Sequence, residues 1–407
     1  MGAVTRFLLP LTLVACSGAA MPSIDDGDVS PGPDGEDASA PASATPHDAG
    51  DASVGSSADG GVIGDAASDV DAKAASDSGS TTAAGALPYM VGIKCNAYAK
   101  APGTLEGWLD RKTDVAGTTI TTTSYISSTG SGYTNSDGSL PLLEVSFPLL
   151  SIFGESNALT DMGQAASGAY DTTYAAMAKA LATFPNPLLS ARIGWELNGN
   201  WYAWSNGVTA SATYATYVSA FQHAAIQLRK YNPHVLIQWN IAWGQPDPTP
   251  YWPGAYDAAR NPGGVDVVSI DFYQANISQY NNGGKQSAWA LAQSGTTINV
   301  DWMVAFAQKN NVKVALSEYG AGTSTSNGLG SGKGLDDGTW TAASIAWMNA
   351  QPAGFFLWTD WSDDEPADDI VTVGSNPNEQ AAWSAAWKGS HFGGTWWAGT
   401  APPSASR

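Results

Sequence analysis

Eight short apolar runs, separated by stretches whose apolar residues recur at helical spacing, constrain this chain more tightly than any other feature of its sequence. The runs are 90–93, 118–123, 142–147, 189–195, 235–240, 267–273, 313–317 and 355–358. Each has the length of a strand and is too short to span a membrane. Between the third and the fifth, Tyr170, Tyr174, Met177, Ala178 and Leu181 mark one helical face, and Tyr214, Tyr217, Val218, Phe221, Ala225 and Leu228 mark another. Strand, helix, strand in succession demands a parallel sheet, because a parallel neighbour is reached only by a crossover. Eight such units in about 300 residues predict a closed (β/α)8 TIM barrel of the α/β class rather than an open doubly wound sheet.

Composition sets the limits of that barrel. All 17 tryptophans and all 15 tyrosines lie beyond residue 87. Residues 17–85 are almost wholly Asp, Ala, Ser, Gly and Pro, and such a segment cannot bury enough apolar surface to offset its ordering entropy. The expected organisation is an export segment over 1–15, a disordered tether over 16–86, a catalytic barrel over 87–399 and a disordered tail over 400–407. Arg6, the apolar run 7–14 and Ala15 before Cys16 describe a cleavable export signal. Leu13-Val14-Ala15-Cys16 resembles the lipobox of bacterial lipoproteins, which implies lipidation of Cys16 and a membrane anchor at its N-terminus. Without an aspartate after the cysteine, the expected address is the outer membrane or cell surface.

The same composition excludes several functions. A formal charge of -20 opposes nucleic-acid binding, which depends on cationic side chains displacing counterions from phosphate. Of the 37 acidic residues, 13 fall within 17–87, so much of the charge belongs to the tether rather than to the barrel. His47, His223, His234 and His391 lack the i, i+4 spacing of helical zinc sites, so no metal is expected. Gly328, Gly330, Gly332 and Gly334 surround Lys333 without the Ser or Thr of a phosphate-binding loop, and no cofactor is expected.

In a barrel of this kind chemistry sits at the C-terminal ends of the strands. Glu196 ends the fourth run and Glu318 the seventh. The fourth and seventh strands face each other across eight, so two carboxyl groups distant in sequence converge on one bond. Glycoside hydrolysis needs such a pair, one carboxyl to protonate the leaving oxygen and one carboxylate on the anomeric carbon. Trp195, Trp201, Trp204, Trp243, Tyr319 and Trp358 surround the two positions, and flat aromatic faces suit the C–H surfaces of sugar rings. Trp201, Trp204, Trp243 and Trp358 are read as sugar-binding, and Trp302 and Trp347, in helical patterns, as core. Arg192 alternates onto the face of Glu196, with Asp271 or Glu318 as its expected partner.

The stretch from Arg192 through Glu196, Asn198, Gly199, Trp201 and Trp204, with Ser317-Glu318-Tyr319-Gly320 and Phe356-Leu357-Trp358, resembles glycoside hydrolase family 26. The resemblance covers 91–387. It implies that Glu196 is the general acid/base and Glu318 the nucleophile of a retaining enzyme, with Tyr273 steadying the nucleophile. Trp195, Asn198 and Tyr273 are expected among the substrate contacts, and Arg192 is expected either to support the nucleophile or to make a buried structural ion pair. The resemblance also implies a β-1,4-mannan as substrate. One position departs: family mannanases carry histidine immediately before the acid/base, and Trp195 stands there instead.

The partners expected from these readings are a polysaccharide and, through the lipid anchor, a membrane; the protein itself is expected to be a monomer. Two other readings share the barrel and its aromatics. One is a related β-glucanase or β-xylanase; the other is a non-catalytic cell-surface glycan-binding lipoprotein.

Overall fold

The computed structural model describes residues 85–94, 109–119, 141–149, 158–183, 188–200, 202, 204–205, 213–274, 277, 288–320, 336–362 and 376–394. The export segment, Cys16, the tether as far as residue 84 and the tail lie outside them. Among the described residues no helix is long and apolar enough to cross a membrane.

Eight strands close into a parallel barrel: β2 (Met90–Lys94), β3 (Val115–Thr119), β4 (Leu142–Phe147), β5 (Leu188–Ile193), β6 (Leu236–Ala242), β7 (Val267–Tyr273), β8 (Lys313–Gly320) and β9 (Phe356–Ser362). They pair in sequence order, and β9 returns to β2 with Met90 opposite Trp358 and Lys94 opposite Ser362. A two-residue strand β1 (Ala86–Leu87) pairs in parallel with β10 (His391–Phe392), so the start and end of the barrel domain lie together.

The two helical faces expected from the sequence are present. The helix α2 (Asp171–Leu181), which follows α1 (Ala158–Ala166), buries Tyr174, Met177, Ala178 and Leu181. The next, α3 (Tyr214–Tyr231), buries Tyr217, Phe221, Ala225 and Leu228; Thr213 caps its first turn, and Arg229 and Lys230 complement the negative end of its dipole. After β7 come α4 (Ala288–Ser294) and α5 (Val300–Asn310), after β8 comes α6 (Gly338–Ala350), and after β9 comes α7 (Pro377–Trp387).

The structure departs from the sequence expectation in three places. The second strand runs over Val115–Thr119 rather than 118–123, because the buried Val115 and Ala116 pair with Gly92 and Ile93; residues 120–123 lie outside the described residues. The fourth strand stops at Ile193, where Gly194 turns to φ +51. The crossover from β6 to β7 holds no α-helix, only a 3-10 turn over Thr249–Tyr251. Pro246, Pro248, Pro250, Pro253 and Pro262 explain this, since each removes a helical N–H and clashes with the preceding turn. Trp252 fills the place of the missing helix, edge-on to Trp239 at 5.0 Å and to Phe306 at 5.1 Å.

The base of the barrel is apolar. Met90, Val115, Leu142, Leu236 and Val267, the first residues of their strands, cluster with Ala315, Leu357 and Trp358. Above this plug the inward positions of β4 to β8 are polar, and that change of character defines the site.

Candidate active site

Two residues along each strand bring the next inward-facing position, because side chains alternate across a strand. From β4 to β7 these positions are Glu144 and Ser146, Ser190 and Arg192, Gln238 and Asn240, and Ser269 and Asp271, all buried. They satisfy one another: Gln238 Nε2 donates to Ser190 Oγ at 2.8 Å, and Ser317 Oγ donates to Gln238 Oε1 at 2.6 Å. A buried network of this kind fixes side-chain positions because each unmade bond would leave a desolvated polar group.

Arg192 is its centre. Its Nη1 donates to Asp271 Oδ2 at 2.6 Å and to Glu318 Oε2 at 3.1 Å; its Nη2 donates to the same Glu318 oxygen at 3.1 Å and to Ser146 Oγ at 2.5 Å. Its Nε lies 3.3 Å from Glu144 Oε1. The two partners considered for Arg192 from the sequence, Asp271 and Glu318, are therefore both used, and Glu144 is added. Burial alone would lower the Arg192 pKa, but Asp271, Glu318, Glu144 and, least of them, Glu196 hold it well above its ordinary value. Burial pushes the Asp271 carboxyl up; Arg192 opposes that, and the charges of Glu318 and Glu196 push it further up. Yet the Asp271 oxygens face only donors, Arg192 Nη1 and Asn240 Nδ2 at 2.8 Å, as an ionised carboxylate requires. One guanidinium thus faces more carboxyl groups than it can neutralise.

Glu318 reaches this cluster through an irregularity in β8. Ile270 pairs with Leu316 but Asp271 pairs with Glu318, so β8 spends one extra residue there. A bulge of this kind re-aims a side chain. Ser317 and Glu318 consequently both point inward, while Tyr319 packs outward against Phe272 and Trp361. The Glu318 carboxylate, 14% exposed, receives Tyr273 Oη at 2.5 Å on Oε1 and two Arg192 N–H groups on Oε2.

Glu196 arrives differently. It does not continue the pleat of β5: Gly194 has φ +51 and Glu196 itself φ +50, a left-handed conformation that costs a residue with a side chain on the order of 1–3 kcal/mol. The surroundings hold it there. Asn240 Oδ1 accepts the Glu196 N–H at 2.9 Å, Gly199 N–H donates to the Glu196 carbonyl at 2.9 Å, and Trp204 Nε1 donates to the Trp195 carbonyl at 2.8 Å.

Several expected sugar contacts prove to be scaffold. Trp358 is fully buried at the barrel base, where its indole N–H donates to Glu144, so it lines no groove. The strand β9 continues four residues beyond it, to Ser362, which is why a reading that ended the run at Trp358 placed it at the mouth. Asn198 is fully buried with its amide committed to the backbone: Nδ2 donates to the carbonyls of Ala242 and Pro246, and Oδ1 accepts the Ala242 N–H at 2.7 Å. It joins the Glu196 turn to the end of β6. Trp243 is 7% exposed, its Nε1 bonded to the Ala292 carbonyl, and Trp195 is 6% exposed under Tyr202 and Trp204. Trp204 and Tyr202 are stacked 4.9 Å apart and only half-buried, leaving some aromatic surface beside Glu196. Tyr273 is likewise part-exposed. Trp201 lies outside the described residues. Trp347 is buried as expected, and Trp302 is half-buried in a stack on Phe306.

Glu144, Ser146 and Asn240 were not anticipated from the sequence. Their signal was present: Glu144 and Ser146, Gln238 and Asn240, and Ser269 and Asp271 are polar pairs two residues apart inside otherwise apolar strands. Such pairs mark the inward face of a barrel with a polar interior. Among the described residues no group of His, Cys, Asp or Glu side chains is arranged to hold a metal ion.

The closed parallel barrel is a glycoside-hydrolase-like fold, with Glu196 in the turn just past its fourth strand and Glu318 on its seventh. Solved structures similar to this chain include the following. An endo-β-1,4-mannanase of Cellulomonas fimi, as a double mutant, is 14% identical with a TM-score of 0.52, covering 75% of this chain and 72% of that one. A family 26 β-mannanase of Bacteroides ovatus is 12% identical with a TM-score of 0.47, covering 75% and 90%. A family 128 endo-β-1,3-glucanase of Amycolatopsis mediterranei, in complex with laminaritriose, is 15% identical with a TM-score of 0.42, covering 73% and 99%. No protein-family model and no curated protein matches the sequence.

Proposed function

We propose that this protein is a retaining, endo-acting glycoside hydrolase that cleaves a β-linked polysaccharide, with Glu318 as nucleophile and Glu196 as acid/base. The observation that carries this is the unequal treatment of the two glutamates by one guanidinium. Arg192 and Tyr273 together donate to both oxygens of Glu318, which favours its ionised form. Of the four carboxyl groups that act on Arg192, Glu196 acts least. By the resemblance to family 26 the proton-donating role falls to Glu196, while Glu318 carries the negative charge. Glu196 then protonates the glycosidic oxygen as Glu318 attacks the anomeric carbon, and the C–O bond to the leaving sugar breaks. In the second step Glu196, now a carboxylate, takes a proton from water, whose oxygen displaces Glu318 and restores the original anomeric configuration.

The resemblance to family 26 supports β-1,4-mannan as the substrate to test first; Trp195 in place of the family's histidine is the reason to include β-glucans and xylans beside it. The N-terminal reading belongs to the same proposal: export, lipidation of Cys16, and residues 16–86 as a tether to the outer membrane. The deciding experiment measures new reducing ends released from mannan, mixed-linkage glucan, β-1,3-glucan and xylan by the wild type and by Glu318→Ala. Release by the wild type alone supports the reading. Binding without release by the wild type would make the protein a glycan-binding lipoprotein instead.

A further inference from the structure

We infer that Asn240 is the positioning residue of the site, a single side chain that holds the backbone of Glu196 in its left-handed conformation and fixes it against the carboxylate cluster around Arg192. The inference rests on the reading of Glu196 as the acid.

Asn240 stands on β6, the strand next to β5, with its side chain fully buried inside the barrel. Every group of its amide is engaged. Oδ1 accepts the N–H of Glu196 at 2.9 Å, while Nδ2 donates to Asp271 Oδ1 at 2.8 Å and to Ser269 Oγ at 3.0 Å. The partners dictate the orientation: a backbone N–H must meet the oxygen, and a carboxylate must meet the NH2. Asp271 in turn bonds Arg192, and Arg192 bonds Glu318. Three groups, Asn240, Asp271 and Arg192, therefore separate the backbone of the acid from the carboxylate of the nucleophile, and each is buried and hydrogen-bonded to the next.

The need for such a residue comes from the backbone. The left-handed conformation is held only where surrounding bonds over-determine it. Of the bonds that hold this turn, the one from Asn240 also reaches the Arg192 cluster, through Asp271. Asn198 ties the same loop to β6, but its partners are the backbone of Ala242 and Pro246, which are not part of that cluster. No shorter side chain spans both partners, and a hydroxyl cannot supply two donors and an acceptor in this geometry.

The test begins with a crystal structure of Asn240→Ala. The expected result is that Glu196 leaves the left-handed region and its carboxyl group shifts; a Glu196 that keeps its conformation and its other bonds would overturn the inference. Kinetics supply a second reading. On a polysaccharide, whose leaving group needs a proton, kcat should fall about 10²-fold with KM little changed, the size expected when a reacting group is misplaced by about 1 Å. On an aryl glycoside with a dinitrophenolate leaving group the glycosylation step should fall far less. Equal losses on the two substrates would show a merely structural role.

If Asn240→Ala does not fold, Asn240→Asp carries the test. Its new carboxyl still accepts from Glu196 N–H, but toward Asp271 it donates only when protonated. Its charged neighbours are Asp271, Arg192, Glu318, Glu196 and Glu144, an excess of negative charge. Activity should therefore survive on the acid side of the wild-type profile and be lost on the basic side, and an unchanged profile would overturn the inference. A wild type that releases no reducing ends from any glycan would defeat the proposed function, while the crystal structure of Asn240→Ala would still decide what Asn240 holds.

Discussion

Tyr273→Phe isolates one hydrogen bond of the site. The substitution removes the Oη that donates to Glu318 Oε1 at 2.5 Å and leaves the ring and both Arg192 N–H groups in place. A hydrogen bond to a charged group contributes about 1.5–3 kcal/mol, and each 1.36 kcal/mol is a factor of ten in rate. If the bond serves to orient and charge the nucleophile, kcat/KM should fall by about 10- to 100-fold. The fall should stop well short of that in Glu318→Ala, because Arg192 still holds the other carboxylate oxygen. Initial rates on polysaccharide and on an aryl glycoside measure it, with thermal unfolding as the control, since a part-exposed hydroxyl contributes little to the core. A variant within twofold of the wild type would refute the assignment of Glu318 as a nucleophile held by Tyr273. A loss equal to that of Glu318→Ala would refute the division of its oxygens between two donors.

Arg192→Met should cost about 3–5 kcal/mol in denaturant unfolding, because Glu144, Asp271 and Glu318 lose their shared cation. Burial raises the Asp271 pKa and Arg192 opposes it, so removing Arg192 raises it further, and the stability lost as pH rises through the folded pKa is greater in the variant; the deficit of the variant should therefore be larger at pH 8 than at pH 5. Asp337→Ala should cost about 1 kcal/mol, since Asp337 Oδ1 caps α6 through the N–H groups of Thr339 and Trp340. Although burial acts the other way, these bonds and those from Thr339 Oγ1 and Gln274 hold the Asp337 pKa below its ordinary value. Its stabilisation is present above the unfolded pKa and disappears as pH falls, so wild type and variant should converge in acid. Wild-type activity should trace a bell against pH, since one carboxyl must be ionised and the other protonated; a rate still rising well above neutrality would exclude a carboxyl donor. Cys16→Ser should move the protein from the membrane to the soluble fraction, because stable anchoring requires acyl chains; identical fractionation of the two would defeat the anchor.

The barrel was legible because its information is periodic. The run 142–147 coincides with β4 and 267–273 with β7, and the stripe from Tyr174 to Leu181 is the buried face of α2. Both glutamates were legible as charges ending apolar runs. What was not legible is aperiodic. The bulge that turns Glu318 inward leaves no mark in Leu316-Ser317-Glu318, and the turn at Glu196 depends on a hydrogen bond from a strand 44 residues away. Trp358 misled because an aromatic ending an apolar run looks like a groove face, whereas the run goes on through Thr359, Asp360 and Trp361, all buried. The missing helix after β6 was written plainly in its prolines, yet it was overridden by the regular alternation on either side.

The short clasp between Ala86–Leu87 and His391–Phe392 has a practical consequence. Met90 opens its strand at the apolar base, and Phe392 packs against that same base layer, so both ends of the folded domain emerge on the face opposite the strand ends that carry Glu196 and Glu318. A carrier, bead or partner module spliced to either end would approach from behind the barrel. Neither splice would stand at the strand ends that carry Glu196 and Glu318, so if the proposed activity holds, an immobilised form should keep its rate on insoluble as well as soluble substrate.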